Sequence, residues 1–149
     1  MPRLSVWIVR TALVYLIAGF AFGALMLSYR AEPFTPGFIA GLRPLHIEFL
    51  TLGWTVNLGL GVGYWILPRP PGGAEAGSGA VMVLAFALLN VGVLSVGAGE
   101  ALDATVLPLL GRLAEASAAA AFAFHAWRRV RPTAAHPARR APPGQSPAP

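Results

Sequence analysis

The sequence has no cysteine and no lysine, and it carries few charges. Without cysteine, this chain by itself forms no disulfide, zinc–thiolate site or iron–sulfur cluster, and it offers no thiol for catalysis. Only 11% of its 149 residues are charged, whereas about a quarter are charged in an average soluble domain. Hydrophobic residues make up 56% of the chain. This composition predicts a membrane protein with one compact domain.

Four apolar segments are long enough to cross a membrane, since a helix needs about 20 apolar residues to span the hydrocarbon core. They predict an all-α, integral membrane four-helix bundle over residues 1–131, with helices at about 5–30, 44–67, 79–98 and 104–129. The first apolar run is longer than the core of a signal peptide, so we expect it to be retained. Residues 132–149, rich in proline, alanine and arginine, are expected to form a disordered cytoplasmic tail.

The arginines predict the orientation of the helices, because basic residues favour the cytoplasmic side. With the N-terminus and the C-terminus both cytoplasmic, eight arginines lie inside and two outside: Arg3, Arg10, Arg69, Arg128, Arg129, Arg131, Arg139 and Arg140 against Arg30 and Arg43. The pI of about 11.1 is then explained by topology and by contact with lipid, not by nucleic acid. We expect a multi-pass protein of a prokaryotic inner membrane.

The second predicted helix has two faces that differ from ordinary lipid-facing surface. One face carries small side chains every four positions and is typical of close helix packing: Thr51, Thr55, Gly59 and Gly63. The other face carries polar groups and positions without a side chain: His46, Gly53, Asn57, Gly61 and Tyr64. Because unpaired polar groups are costly in hydrocarbon, we expect this second face to contact protein, cofactor or water.

His46 and Glu48 are about half a helical turn apart, so we expect them to serve different neighbours. His46 is either an interfacial histidine bonded to water or a carbonyl, or an axial ligand to a haem that Gly53 leaves room for. Glu48 is interpreted as an interfacial acid near Arg43 in preference to a member of a proton or ion path.

The run LHIEFLTLGWTVNLGLGVGYWILPR, residues 45–69, resembles the second transmembrane helix of subunit I in the haem-copper oxidase superfamily. That superfamily includes cytochrome c oxidases, nitric oxide reductases and NnrS-type proteins. The resemblance rests on an early histidine, a Gly-Trp pair, a glycine-rich middle, two aromatic residues and a Pro-Arg exit: His46, Gly53, Trp54, Gly59 to Gly63, Tyr64, Trp65, Pro68 and Arg69. It implies that His46 binds the iron of a b-type haem.

The chain departs from the catalytic subunits of that superfamily in its size and its histidines. It has three histidines, His46, His125 and His136, and the first two lie at opposite ends of their helices, about 30 Å apart in depth. They cannot bind one haem together, so a complete haem-copper centre is absent from this chain, and whether it acts in an enzyme is open. The resemblance implies electron transfer or redox or gas sensing in respiration. A second axial ligand would come from another copy in a homodimer or from a partner subunit, or would be missing.

Charged and amide side chains inside the helices leave two further interpretations open. Arg112 and Glu115, three residues apart on the fourth helix, form an internal ion pair, or Arg112 and Arg43 hold haem propionates. Asn57 on the second helix and Asn90 on the third are each expected to take part in interhelical hydrogen bonding. The alternative function is that of a non-catalytic structural or assembly subunit of a respiratory membrane complex.

Overall fold

A computed structural model describes residues 2–31, 37–67, 75–127 and 129–130 of the protein. Within these ranges the chain is built from helices and short connections, which confirms the all-α fold. The predicted tail at 132–149, which includes His136, lies outside the described residues.

Each of the four predicted apolar segments is helical in the structure. The helical elements are α1 (Arg3–Ala31), a 3-10 helix (Gly37–Leu42), α2 (Arg43–Glu48), a π-helical segment (Phe49–Val56), α3 (Asn57–Ile66), α4 (Glu75–Ala101) and α5 (Val106–Trp127). We call residues 43–66, which contain α2, the π-helical segment and α3, the second helical stretch.

Local sequence explains where several of these elements begin and end. Pro44 lies in the first turn of α2, where its missing N–H group costs no helical hydrogen bond. Leu67 ends α3 in an extended conformation, as expected for a residue that precedes a proline. Asp103 turns the chain between α4 and α5 with a φ of 52°, a left-handed conformation that aspartate tolerates better than most residues.

Neighbouring helices run antiparallel. Ser5 at the start of α1 donates a hydrogen bond of 2.6 Å to the carbonyl of Gly61 near the end of the second helical stretch. Leu45, near the beginning of that stretch, packs on Gly97 near the end of α4. Gly92 of α4 contacts the backbone of Gly111 in α5. The chain therefore passes up and down through a helical bundle.

Among the described residues, three helices are long and apolar enough to cross a membrane: α1, residues Gly79–Ala101 of α4, and α5. The second helical stretch is divided into helical pieces of 6, 8 and 10 residues, so no single piece of it has the length of a span. Large apolar side chains cover the outside of the bundle, as Ile17, Leu109 and Phe124 illustrate. Soluble proteins rarely expose contiguous apolar surface to this extent.

The two faces of the second helical stretch lie on opposite sides with respect to the bundle. Gly53, Asn57 and Gly61 are buried against other helices, which confirms that the polar face contacts protein. Gly63, the fourth residue of the predicted small face, is half-buried, and a Cβ atom built on it would lie 3.1 Å from Cζ of Phe122 in α5. Thr51, Thr55 and Gly59 are exposed. We call these last three residues the small-residue face.

Candidate functional site

His46 is held against α1 by one hydrogen bond and by a glycine. Its Nδ1 lies 2.7 Å from the carbonyl oxygen of Gly19. A carbonyl only accepts hydrogen bonds, so the imidazole carries a proton on Nδ1, and in the neutral form of the ring Nε2 holds the lone pair. A Cβ atom built on Gly23 would lie 2.7 Å from Cε1 of His46, closer than real Cβ atoms approach. Gly23 therefore leaves room for the imidazole ring, and Gly19 supplies the carbonyl that the ring bonds.

The space expected beside Gly53 is filled by Tyr15 of α1. A Cβ atom built on Gly53 would lie 2.7 Å from Cγ of Tyr15. Phe49 contacts the same tyrosine edge-on, with ring centroids 4.9 Å apart. Helix α1 approaches the π-helical segment closely at this point and fills the interior with an aromatic ring. An empty gap of that size would forfeit the dispersion contacts of the atoms that line it.

Glu48 contacts Arg112 of α5, and this finding corrects the interpretation of Glu48 as an interfacial acid near Arg43. The guanidinium donates from Nη1 to Oε1 at 3.0 Å and from Nη2 to Oε2 at 2.8 Å. The side chain of Glu48 is only 4% exposed, whereas Arg43 is exposed at the surface. A buried carboxylate requires a bonded cation, and helix packing supplies one from a distant part of the chain.

Arg112 also binds Glu115, which confirms the predicted ion pair within α5. Its Nη1 donates to Oε2 of Glu115 at 2.8 Å. The three residues Glu48, Arg112 and Glu115 form the charge cluster. Glu115 is 7% exposed, and its Oε1 has no hydrogen-bond partner in the described part of the chain. The three-residue spacing of Arg112 and Glu115 predicted their pairing. The sequence did not predict the third member, Glu48, because it lies on a helix far away in the sequence.

A pair of amides lies deeper in the bundle. Nδ2 of Asn90 donates to Oδ1 of Asn57 at 3.3 Å and to the carbonyl of Phe86 at 2.7 Å. Nδ2 of Asn57 donates to the carbonyl of Gly53 at 2.9 Å. The predicted interhelical hydrogen bond is therefore confirmed, and it joins α3 to α4.

His125 lies at the other end of the bundle from His46. Its ring is 6.1 Å from that of Tyr64, between ring centroids, and the guanidinium of Arg129 lies over the same tyrosine. His125 is buried, and its Nε2 has no hydrogen-bond partner among the described residues. His46 instead contacts the later part of α1, so the two histidines do not form one site.

The residues that the resemblance and the sequence assigned to haem do not come together around one space. His46 contacts α1, Gly53 contacts Tyr15, and Arg112 binds two carboxylates. Arg43 is exposed. In the ranges 2–31, 37–67, 75–127 and 129–130, no group of three or more histidine, cysteine, aspartate or glutamate residues is arranged to hold a metal ion. Among the residues assigned to haem, only His46 is of a type that binds haem iron, as a single axial ligand.

No family model, curated protein or solved structure matches this chain. Its class therefore follows from the fold and the site alone. The part of the chain that the structure describes is all-α, with three helices suited to crossing a membrane, and it carries the charge cluster, whose two acids are buried, between the second helical stretch and α5.

Proposed function

We propose that this chain is a multi-pass protein of a prokaryotic inner membrane that binds one b-type haem through Nε2 of His46. In this proposal the second helical stretch is the fourth span, and both termini are cytoplasmic. The second axial ligand comes from a second copy of the chain or from a partner subunit, or the position stays open. The haem supplies one-electron transfer, or gas binding at an open position.

The hydrogen bond from Nδ1 of His46 to Gly19 carries this proposal. Histidines that bind metals almost always donate their other ring N–H to a carbonyl or carboxylate, which sets the tautomer and the ring orientation. His46 meets that condition with a bond of 2.7 Å. Because Tyr15 fills the interior beside Gly53, the haem in this proposal lies outside the core of this bundle.

Arg43 remains suited to the haem propionates, because it lies three residues before His46 and is exposed. Arg112 already bonds Glu48 and Glu115, and it does not lie together with His46, which contacts α1.

Optical spectra of the full chain test the haem. The protein is produced in haem-replete cells, purified in mild detergent, and measured in the oxidised state and after reduction with dithionite. We expect Soret and alpha bands that are lost in His46→Ala. The matched control is His125→Ala, which removes a histidine at the other end of the bundle and should keep the bands. Absence of the bands in the wild-type chain, or their persistence in His46→Ala, contradicts the assignment.

The small-residue face favours a second candidate, a structural or assembly subunit of a larger respiratory membrane complex. A Cβ atom built on Gly59 would meet no atom within 4 Å. The hydroxyls of Thr51 and Thr55 donate to carbonyls of their own helix, at 2.7 and 2.9 Å. The face therefore has no unmet polar group and lets another helix approach closely, as small residues do in membranes.

The size of the native complex tests this second candidate. The tagged chain is extracted from its own membranes in mild detergent, and the mass of the eluted particle is measured by light scattering. We expect a complex larger than the single chain that is reduced by Gly59→Leu. Gly79→Leu is the control, because Gly79 also has open space around it but lies on α4. An unchanged mass in Gly59→Leu counts against this role.

A further inference from the structure

The charge cluster contains one more carboxyl group than it has cations. Glu48 is satisfied at both oxygens, because Nη1 and Nη2 of Arg112 each donate to one of them. Glu115 receives a single bond, from the same Nη1 that already serves Glu48. With both acids ionised, the cluster would carry one uncompensated negative charge inside the bundle.

The unmatched atom is Oε1 of Glu115. Its side chain is 7% exposed, and this oxygen has no hydrogen-bond partner in the described ranges. An ionised carboxylate oxygen in such a place loses its hydration without replacement, and buried groups usually become neutral instead of bearing that cost. A neutral carboxylic acid would need no second cation.

The helices around Glu115 offer no other compensating charge among the described residues. Helix α4 faces it with Gly92, and a Cβ atom built there would lie 2.5 Å from Cγ of Glu115. Glu100, further along α4, is exposed and also acidic. On the second helical stretch, His46 is bonded to α1 and not to the cluster. From α1, Tyr15 packs on Gly53.

We propose that Glu115 is a proton-binding site: it is a neutral carboxylic acid at neutral pH, while Arg112 stays paired with Glu48 through two hydrogen bonds. The proton comes from solvent and forms an O–H bond on the Glu115 carboxyl group, with no change of oxidation state. It enters past the half-exposed side of Arg112, which contacts both acids. The site is a proton-loading position between α5 and the second helical stretch, and it stands whether or not haem binds at His46.

Infrared spectroscopy of the full chain in lipid nanodiscs tests this site. A neutral carboxylic acid has a C=O stretching band apart from the amide bands, and the band shifts when H₂O is replaced by D₂O. At neutral pH we expect this band in the wild-type chain and in Glu100→Gln, which alters an exposed acid. We expect its loss in Glu115→Gln. We also expect the loss of the band in Glu48→Gln, because the guanidinium of Arg112 then pairs with Glu115 alone and stabilises its ionised form.

Arg112→Gln should strengthen the carboxylic acid band instead of removing it. Without the guanidinium both buried carboxyls should become neutral, so the area of the band should rise about two-fold. A wild-type chain without the band at neutral pH would overturn the proposal, and this result requires no variant to fold. The band persisting in Glu115→Gln or Glu48→Gln would overturn it too. So would its disappearance when sodium chloride is added at constant pH, since the site would then hold a metal cation.

Discussion

Arg112 and Glu48 form a two-bond ion pair although 64 residues separate them in the sequence. The guanidinium and the carboxylate meet in the paired geometry that makes arginine–carboxylate contacts both stronger and more directional than single bonds. The bond pair joins α5 to the second helical stretch. Because Glu48 is buried, loss of Arg112 would leave Glu48 as an unsatisfied group between these elements.

Removing the guanidinium of Arg112 should therefore destabilise the bundle. We expect Arg112→Gln to lower the free energy of unfolding by about 1–3 kcal/mol, the cost of an unsatisfied buried group. Reversible unfolding in mixed detergent micelles, followed by circular dichroism, measures it. The double variant Glu48→Gln/Arg112→Gln should recover part of the loss, because it removes the buried carboxyl group that has lost its partner. Equal stability of Arg112→Gln and the wild-type chain would show that the pair has no stabilising role.

Two glycines on the second helical stretch should respond differently to alanine. Gly53→Ala brings a methyl group into the ring of Tyr15, so we expect a loss of about 1–3 kcal/mol in the free energy of unfolding. Gly59→Ala meets no atom within 4 Å and should leave stability unchanged or slightly higher. The same unfolding experiment compares them. A larger loss for Gly59→Ala would mean that the faces of this stretch are reversed.

Gly23 should control the position of the His46 imidazole. A methyl group at Gly23 would meet Cε1 of His46 at 2.7 Å, so Gly23→Ala has to displace the ring from its hydrogen bond to Gly19. On the haem proposal, the haem content per chain in Gly23→Ala should fall several-fold although the ligand is intact. The pyridine haemochrome assay gives this content, with Gly79→Ala as the control. Full haem content in Gly23→Ala would show that haem binding does not depend on the observed position of the His46 ring.

The contact between α4 and α5 should depend on Gly92. A Cβ atom there would lie 2.9 Å from the carbonyl oxygen of Gly111 as well as against Glu115, and a backbone atom cannot rotate away. We expect Gly92→Ala to lower the free energy of unfolding by about 1–3 kcal/mol. Gly79→Ala, in the same helix with open space, is the matched control. Similar unfolding curves for the two variants would contradict this close approach.

Much of the bundle was predictable because helix length, apolar composition and Gly/Pro breaks are local properties. The Arg112–Glu115 pair was predictable for the same reason, since i,i+3 neighbours meet on one helix. The opposite placement of His46 and Glu48 followed from the angle between them, and their separate partners confirm it. The π-helical segment was not predicted, because its wider i→i+5 bonding left no mark in the hydrophobic pattern.

The sequence by itself determined an all-α, apolar chain, the inward face with Gly53 and Asn57, and the residue types that a haem or a proton requires. Only the tertiary structure decided which groups meet. It placed Arg112 beside Glu48 and Tyr15 beside Gly53. The physical reason is that a buried charge or an interior space is satisfied by whichever helix packs against it, and the identity of that helix is set by the packing of the whole bundle and not by sequence spacing.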